Sequence, residues 1–369
     1  MDCLDIPKMG FGAFSRQMHA KVIQERIPIA GSIELTTRCN LRCQHCYLEG
    51  MQAGIPGKKE LSVSKIRNIF DQVVDEGTLW MLITGGEPIL RRDFKEIYTY
   101  AKRKGLLITL FTNGTLITAQ IADLLAEWQP VKVEVTLYGL TQAIYERVTG
   151  VPGSHARCMA GIELLQERKV PLSLKSVVMT LNRHELAGMQ AYAKSLGVGF
   201  RYDPMLNASL NGSHQPLALR LPPEEVVQLD VNDAQRMEQW RSFCEQFGDQ
   251  RIDTRYNYTC DAGRNSYHID PYGQLVFCML SRSQAFDLRQ GSFKLGWREY
   301  LFERRFQPTT VESECNECEL LVLCGQCPGW SQLEQGAPRQ PVEYLCQVAH
   351  LRAMAFDFHG NVPISNKAT

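Results

Sequence analysis

The sequence predicts an α/β fold, with a partial (β/α)6 barrel of the TIM type followed by a small, cysteine-rich C-terminal domain. Short β-branched runs alternate with longer helix-like segments between residues 32 and 206. Such alternation is typical of a parallel sheet joined by right-handed crossovers. Six strands are too few for the eight-stranded closure of a complete barrel. Beyond residue 260 the chain becomes turn-rich and holds seven of its thirteen cysteines.

The six predicted strands are runs rich in β-branched and apolar residues, bounded by loops. They are residues 32–37, 79–84, 106–112, 132–138, 172–180 and 199–205. Between them, apolar residues recur at three- and four-residue spacing, which indicates amphipathic helices. These predicted helices are residues 62–77, 91–105, 117–129, 154–169 and 182–197, with a further helix over 224–248. In parallel α/β sheets the chemistry lies at the carboxyl ends of the strands, and the unusual residues of this sequence follow those ends.

The composition is that of an ordinary globular protein of 369 residues, 44% hydrophobic and 22% charged. Forty basic and forty acidic residues leave no net charge, so we expect neither nucleic acid nor a membrane surface as a partner. The sequence lacks the apolar run of a signal peptide and any stretch of about 18 apolar residues. We therefore expect a cytoplasmic protein. In a reducing cytosol thirteen cysteines are better explained by metal ligation or catalysis than by disulfides.

The first predicted strand leads into the segment "TTRCNLRCQHCYLEG", residues 36–50, with Cys39, Cys43 and Cys46 at C-x3-C-x2-C spacing. Thiolates are soft ligands that suit zinc, copper(I) or iron–sulfur clusters. A structural zinc site requires a fourth ligand, for which His45 is the nearest candidate. His45 adjoins Cys46, however, and neighbouring side chains seldom ligate one ion well. A four-iron cluster held by three cysteines instead leaves one iron free to bind another group.

The second predicted strand is followed by "GGEP", residues 85–88, in which two glycines permit a tight turn and close approach of a ligand to the backbone. Together with the three cysteines, this motif resembles the radical S-adenosylmethionine (SAM) enzymes over residues 30–206. The resemblance implies that a [4Fe–4S] cluster binds the amino and carboxylate groups of SAM and reduces its sulfonium to release a 5′-deoxyadenosyl radical.

The same resemblance implies which residues bind SAM. The segment Gly85, Gly86, Glu87 and Pro88 is expected to receive the amino group of the cofactor, with the Glu87 carboxylate as an acceptor for the ammonium. Asn113, Thr136 and Lys175 lie on or just after strands, where the family places polar contacts to the ribose and carboxylate.

The C-terminal cysteines include a C-x2-C-x5-C-x2-C run over residues 315–327. This part resembles the SPASM extension of radical SAM enzymes, which holds two auxiliary [4Fe–4S] clusters, so three clusters are expected in all. The resemblance assigns the outer auxiliary cluster to Cys315, Cys318, Cys324 and Cys346. It assigns the inner one to Cys260, Cys278 and Cys327, which leaves an open iron or a ligand from elsewhere, and Cys244 is the nearest further cysteine. A zinc ribbon built from the central run is the alternative.

The resemblance further implies hydrogen abstraction from an unactivated C–H bond inside the barrel. Because many relatives with a SPASM extension modify peptides, we predict a ribosomally made precursor peptide as substrate, with crosslink formation, backbone rearrangement or excision as the reaction. Tyr138, Arg201, Tyr202 and Asp203 are candidates for orienting substrate or relaying protons. The alternatives are a dehydrogenase acting on a sulfatase cysteine or serine, or on a sugar or alcohol, and a non-enzymatic zinc-binding scaffold.

The predicted organisation comprises an N-terminal extension (1–30), the barrel (31–206), a bridging region (207–259), the auxiliary-cluster domain (260–350) and a tail (351–369). Residues 1–30 are too few for the winged-helix element with which peptide-modifying relatives grip a leader peptide. We therefore expect leader recognition, where it is used, by a separate protein. The expected electron donor is a flavodoxin or a ferredoxin.

Overall fold

A nine-stranded sheet lies at the centre of the protein, in a computed structural model that describes residues 11–51, 53–248, 252–309 and 311–360. In chain order the strands are β1 (Ala30–Glu34), β2 (Trp80–Thr84), β3 (Leu107–Thr112), β4 (Lys132–Thr136), β5 (Leu172–Val177), β6 (Gly199–Asp203), β7 (Ser266–Ile269), β8 (Gln274–Val276) and β9 (Phe286–Asp287). Their order across the sheet is β6-β5-β4-β3-β2-β1-β7-β8-β9. Strands β1 to β6 are parallel to their neighbours, which confirms the predicted α/β architecture.

Helices connect the strands and cover the sheet. They are α1 (Phe11–Glu25), α2 (Val63–Asp75), α3 (Phe94–Arg103), α4 (Ala119–Glu127), α5 (Gln142–Thr149), α6 (Ser154–Glu167), α7 (Leu186–Ser195), α8 (Pro223–Asn232), α9 (Ala234–Phe247), α10 (Phe293–Leu295), α11 (Leu301–Arg305), α12 (Pro328–Gln335) and α13 (Glu343–Ala355). Short 3-10 segments lie at Pro88–Leu90, Arg183–Glu185, Gln215–Leu219 and Glu314–Asn316, and a π-helical turn spans Gly296–Tyr300. Within the described ranges, no helix is both long and apolar enough to cross a membrane.

The core forms where amphipathic helices pack on the sheet. Helix α2 begins at the N-cap Ser62, whose hydroxyl accepts from the Lys65 amide, as expected of a serine at that position. Its buried face consists of Ile66, Ile69, Phe70 and Val73. These side chains belong to the same apolar cluster as strand residues Ile33, Ile83, Leu110, Val135 and Leu174. The core thereby holds the strand ends, and the loops that follow them, in fixed positions.

Four of the predicted strands extend two or three residues beyond their observed ends, into loops that carry the site. Strand β1 ends at Glu34 and β4 at Thr136, while the β-branched and apolar pattern continues to Thr37 and Tyr138. These loops lie inside the protein, since Thr37 is 1% exposed and Leu137 is fully buried. Buried loops carry the same residue types as strands, so the pattern alone overestimates the strand lengths.

The C-terminal region extends the sheet, which the sequence analysis did not predict. Strand β7 pairs in parallel with β1, with Ala30 opposite Ser266 and Ile33 opposite Ile269. Strands β8 and β9 then add antiparallel pairs. Strands of two to four residues carry too little periodicity to be recognised. The sheet therefore runs across the boundary predicted at residue 260, and α13 runs across the one predicted at 350. The domain boundaries themselves stay predictions.

The prediction of a single helix over 224–248 is wrong, because α8 ends at Asn232 and α9 begins at Ala234. Between them Asp233 has an extended backbone, with φ −92° and ψ 110°. Its carboxylate accepts hydrogen bonds from the amides of Gln235 and Arg236. An N-capping aspartate therefore divides what the apolar spacing presented as one continuous helix. Helix α5 was also not predicted.

Candidate active site

A cavity of about 370 Å³ opens at the carboxyl ends of the parallel strands. It is lined by residues from the loops or ends of all six strands β1 to β6, together with one residue of the C-terminal region. Of the residues predicted from the sequence, the lining includes Cys39, Cys43, Cys46, Gly85, Gly86, Asn113, Thr136, Tyr138, Lys175, Arg201 and Asp203. Glu87, Pro88 and Tyr202 are not part of the lining.

The three cysteines of the first loop lie close enough to influence one another electrostatically. Burial raises the pKa of Cys43 well above its usual range, and the thiols of Cys46 and Cys39 raise it further. Burial also raises the pKa of Cys39 to about 12, more than the hydrogen bond from the Leu41 amide lowers it. Metal ligation requires thiolates, so binding of a metal cluster here releases protons.

Backbone hydrogen bonds tie this loop to neighbouring elements. The Arg42 amide donates to the Thr149 carbonyl at 2.9 Å, and the Gln44 amide donates to the Val148 carbonyl at 3.1 Å. Both acceptors lie at the end of α5. This helix, missed by the sequence analysis, therefore supports the cysteine loop from outside the cavity.

The glycine loop after β2 packs directly on the start of the cysteine loop. Gly85 has φ +136°, and a Cβ atom there would lie 2.4 Å from the Thr36 carbonyl oxygen. A Cβ on Gly86 would lie 2.3 Å from the Arg38 carbonyl oxygen. The Gly86 amide donates to Thr36 and the Glu87 amide to Arg38. Only glycine allows two backbone segments to approach this closely, so the motif holds the cysteine loop in place as well as lining the cavity.

Glu87 points into the protein and is fully buried. Its carboxylate accepts from the Thr112 hydroxyl at 2.9 Å, the Asn113 amide at 2.8 Å and the Ile89 amide at 3.1 Å. Burial raises its pKa to about 7, although these hydrogen bonds act in the opposite direction. Glu87 thus joins the loop after β2 to the end of β3. Pro88 is buried at the start of its 3-10 segment. The predicted contact between Glu87 and the cofactor ammonium stays a prediction.

The other predicted cofactor contacts reach the cavity from successive strands. The Asn113 side chain donates to Asn40 at 3.0 Å and accepts from the Thr115 amide at 2.9 Å, which fixes its orientation. Lys175 extends its ammonium over the Phe111 ring, 2.8 Å from the ring centroid. Burial and then the charge of Arg201 lower the Lys175 pKa well below its usual range. Among the described residues no hydrogen bond or ion pair holds this ammonium, so it favours an anionic ligand.

Two further predicted residues form the rear wall of the cavity. Arg201 donates to Glu134 at 3.0 Å, and Arg201 and Lys132 keep the pKa of Glu134 below its usual value despite burial. Asp203 is exposed at the cavity, where desolvation by the surrounding protein raises its pKa. Tyr202 faces the other side of the strand, where its hydroxyl donates to the Leu229 carbonyl at 3.3 Å. Tyr202 is therefore separated from the other three candidates.

His45 and Tyr138 meet at the cavity wall, with ring centroids 5.3 Å apart. Burial lowers the pKa of His45 to about 4, so its imidazole is neutral at pH 7. Its Nδ1 atom is buried and has no hydrogen-bond partner within the part of the chain that the structure describes. An imidazole held neutral in this way offers a ring face and one unused polar atom to a ligand in the cavity.

A buried ionic network, which was not predicted from the sequence, links the cysteine loop to the C-terminal region. Glu34 ends β1 and accepts from Tyr47 at 2.9 Å and from Arg282 at 3.0 and 2.6 Å. Arg282 also donates to the Met279 carbonyl at 2.8 Å, and Met279 lines the cavity. The sequence offers three signals for this network. They are a glutamate inside an apolar strand, a tyrosine directly after Cys46 and a methionine directly after Cys278.

The C-terminal thiols fall into two groups. Burial raises the pKa of Cys324 to about 12, with added effects from the thiols of Cys346, Cys315 and Cys318. Burial raises the pKa of Cys327 to about 11, with added effects from Cys278 and Cys260. The two groups contain the same cysteines as the predicted outer and inner ligand sets, and cluster ligation by them stays a prediction. Cys244 packs with the apolar cluster around Leu323 and Phe358.

The donor chemistry of all three groups suits iron–sulfur clusters. Each group consists of thiols alone, the ligands that such clusters prefer. Among the described residues, no three or more His, Cys, Asp or Glu side chains converge closely enough to hold a single metal ion. By donor type, the thiols present fit iron–sulfur clusters.

Comparisons with known proteins agree with this description. Residues 33–193 match the family model of the radical SAM superfamily. The chain is 27% identical over 346 residues to an AdoMet-dependent heme synthase of Oleidesulfovibrio alaskensis, covering 87% of this chain and 88% of that protein. It is 28% identical over 315 residues to the mycofactocin maturase MftC of Mycobacterium ulcerans, covering 81% of this chain and 83% of that protein.

Among solved structures, Streptococcus suis SuiB bound to its precursor peptide SuiA has the same fold. The TM-score is 0.68 at 18% identity, over 94% of this chain and 83% of that chain. Residues 33–193 therefore form a radical SAM domain, which is followed by a cysteine-rich C-terminal region that fits the SPASM pattern, and the homologues of the chain include peptide-modifying radical SAM enzymes.

Proposed function

We propose that the protein modifies a ribosomally made precursor peptide by radical SAM chemistry. The observation that carries the proposal is the size of the cavity. Its volume of about 370 Å³ lies near the lower end of the roughly 300–1,000 Å³ that holds one drug-sized ligand. SAM is itself a ligand of that size, so little enclosed space remains, and the part of a substrate that enters must be small. A peptide can insert a single side chain while the rest of the chain stays outside.

When bound, the cluster and SAM supply a carbon radical that abstracts a hydrogen atom from the substrate. The residues of the chain position both partners of that reaction. Cys39, Cys43 and Cys46 would hold the cluster, and the Lys175 ammonium offers a counter-charge to a carboxylate. Asn113, fixed by Asn40, presents its amide at the same wall.

The remaining wall suits an inserted side chain. Met205, Leu206 and Met279 provide apolar contact that excludes water from the radical. Arg201 and Asp203 provide charged groups at the carboxyl end of β6. The relationship to the maturase MftC over most of the chain supports a peptide substrate.

A second candidate is the reaction of the heme synthases, because such proteins from two organisms align with 80% and 87% of this chain. A macrocycle is wide and flat, and it would have to share the cavity with SAM. The volume available favours the peptide. The sequence relationship nevertheless makes an iron porphyrin the appropriate competing substrate in a test.

The test uses the anaerobically reconstituted enzyme with reductant and SAM. Peptides encoded by short reading frames flanking the gene are supplied one at a time, and 5′-deoxyadenosine and peptide mass are measured together. We expect one peptide to stimulate 5′-deoxyadenosine formation and to change in mass. Loss of two hydrogens without a crosslink, seen as complete fragmentation of the product, would indicate the dehydrogenase alternative.

Iron-coproporphyrin III serves as the competing substrate in the same assay. Its turnover, with no change in any peptide, would overturn the proposal in favour of the heme-synthase reaction. A Cys39→Ala variant controls for 5′-deoxyadenosine formed without the candidate cluster.

A further inference from the structure

The edge strand β6 differs from the other parallel strands in its exposure. It ends the sheet on one side, and none of its five residues is buried. Every other strand of the parallel set contains buried residues. An open strand edge is normally covered or blocked, because its free backbone groups recruit other chains.

The backbone of β6 presents hydrogen-bonding groups away from the sheet. The Asp203 carbonyl accepts from the Val178 amide at 2.9 Å and therefore faces β5. Because backbone groups alternate along a strand, those of Tyr202 and Phe200 face the opposite way. Arg236 on α9 reaches the Tyr202 carbonyl from that side at 3.3 Å. The Phe200 amide and carbonyl thus point out of the edge, where a further strand could pair with them.

A groove of about 440 Å³ runs along this edge between α7 and α9. Phe200, Arg201 and Tyr202 line its floor, and Gln190, Lys194 and Gln239 line its sides. Arg201 lines both this groove and the active-site cavity. A chain lying in the groove therefore reaches the cavity at Arg201.

Three cations and one carboxylate line the groove. Lys194 is exposed and has no ion pair among the described residues, and the Arg201 side chain is 53% exposed beside its partner Glu134. The one carboxylate in the lining, Asp233, accepts from the Gln235 and Arg236 amides at the start of α9 and from the Gln190 side chain at 3.2 Å. Arg236 is neutralised by Asp230. Acidic side chains therefore suit this surface best.

We propose that the edge of β6 docks an extended, acidic segment of the substrate peptide. The segment pairs with the outward backbone groups of Phe200, as in β-strand addition, and continues past Arg201 into the active-site cavity. The inference rests on the proposed peptide substrate and assigns the surface that binds it.

The first test measures binding of a fluorescein-labelled hexapeptide of alternating glutamate and valine to the reconstituted enzyme. Phe200→Pro removes the outward amide donor, and proline is tolerated at strand edges whose amide faces outward. Phe200→Leu keeps that donor and is the matched control. We expect Phe200→Pro to weaken binding roughly tenfold, the upper range for the loss of one hydrogen bond, and Phe200→Leu to change it less than twofold. Hydrogen exchange of residues 199–203 should slow when the peptide binds.

A charge reversal tests the same surface without altering the strand. Lys194→Glu should weaken binding several-fold, while Lys95→Glu, an exposed lysine on α3, should not. If Phe200→Pro melts at a lower temperature than wild type, its weaker binding could reflect unfolding. The comparison of Lys194→Glu with Lys95→Glu then decides the question. Equal binding by wild type, Phe200→Pro and Lys194→Glu would overturn the inference.

The docking site and the proposed function fail in different ways. If Phe200→Pro and Lys194→Glu modify the peptide with an unchanged KM, the proposed docking site is rejected and the proposed function stands. A rise in KM with kcat within twofold would support the site. If the enzyme turns over the iron porphyrin and no peptide, the proposed peptide-modifying function is rejected, regardless of whether the hexapeptide binds.

Discussion

The guanidinium of Arg282 donates two hydrogen bonds to the carboxylate of Glu34, at 3.0 and 2.6 Å. The two residues are 248 positions apart, and their contact joins the C-terminal region to the first barrel strand. Glu34 is 1% exposed, so each charge depends on the other. Because Arg282 also holds the Met279 carbonyl, the pair positions a wall of the cavity.

Breaking this pair should destabilise the protein strongly. Glu34→Gln leaves the Arg282 charge buried without its counter-ion, which typically costs about 3–5 kcal/mol in the free energy of unfolding. Urea unfolding measures the effect, with Glu96→Gln as control, since Glu96 pairs with Arg67 on the surface and should contribute less than about 1 kcal/mol. The double variant Glu34→Gln, Arg282→Met should lose less free energy of unfolding than the sum of the losses in the two single variants. Equal effects of Glu34→Gln and Glu96→Gln would contradict the assignment.

The same pair predicts a specific response to acid. Burial acts to raise the Glu34 pKa, but Arg282 and His268 lower it overall to about 2, from an ordinary 4.5. The ionised carboxylate therefore contributes stability above pH 4.5, of order 3 kcal/mol, and this contribution is lost as the pH falls toward 2. Urea unfolding of metal-free protein at pH 5, 4 and 3 should show a steeper decline for wild type than for Glu34→Gln. Parallel declines would argue against a depressed pKa.

Glu87 should act by bracing the loops after β2 and β3. Glu87→Gln replaces one of the two carboxylate oxygens with an amide donor, which then faces either the Asn113 or the Ile89 amide. We therefore expect a loss of about 1–3 kcal/mol in the free energy of unfolding. Affinity for SAM should fall together with the melting temperature, because Asn113 then shifts. Equilibrium dialysis with labelled SAM and thermal melting measure the two effects, with Glu96→Gln as control. Weaker SAM binding at an unchanged melting temperature would instead indicate direct contact with the cofactor ammonium.

Iron content should distinguish the three thiol groups. Wild type reconstituted anaerobically should bind about twelve irons, and the variant Cys39→Ala, Cys43→Ala, Cys46→Ala about eight. Only wild type should form 5′-deoxyadenosine. Cys244→Ala, outside all three groups, should keep the full iron content. A drop on Cys244→Ala, or zinc in place of iron, would require a different ligand assignment.

Much of the fold follows from local patterns. Each of strands β1 to β6 is short and followed by a loop, and the spacing of apolar residues marks most of the helices between them. The three cysteines and the "GGEP" segment follow β1 and β2, so their meeting at one edge follows from the parallel arrangement. Strands β7 to β9 escaped recognition because two to four residues hold no periodic signal. Asp233 broke a helix that the spacing alone presented as continuous.

The sequence by itself determined the parallel α/β core and its reactive rim, because these depend on period, spacing and residue type, whereas the grouping of the C-terminal cysteines came from the resemblance to the SPASM extension. Only the tertiary structure decided that Glu87 faces inward, that Tyr202 lies outside the cavity and that Arg282 reaches Glu34. It also decided that Arg201 joins the β6 groove to the active site. Such relationships depend on which side chains meet across long stretches of chain, and packing and charge compensation in three dimensions select those contacts.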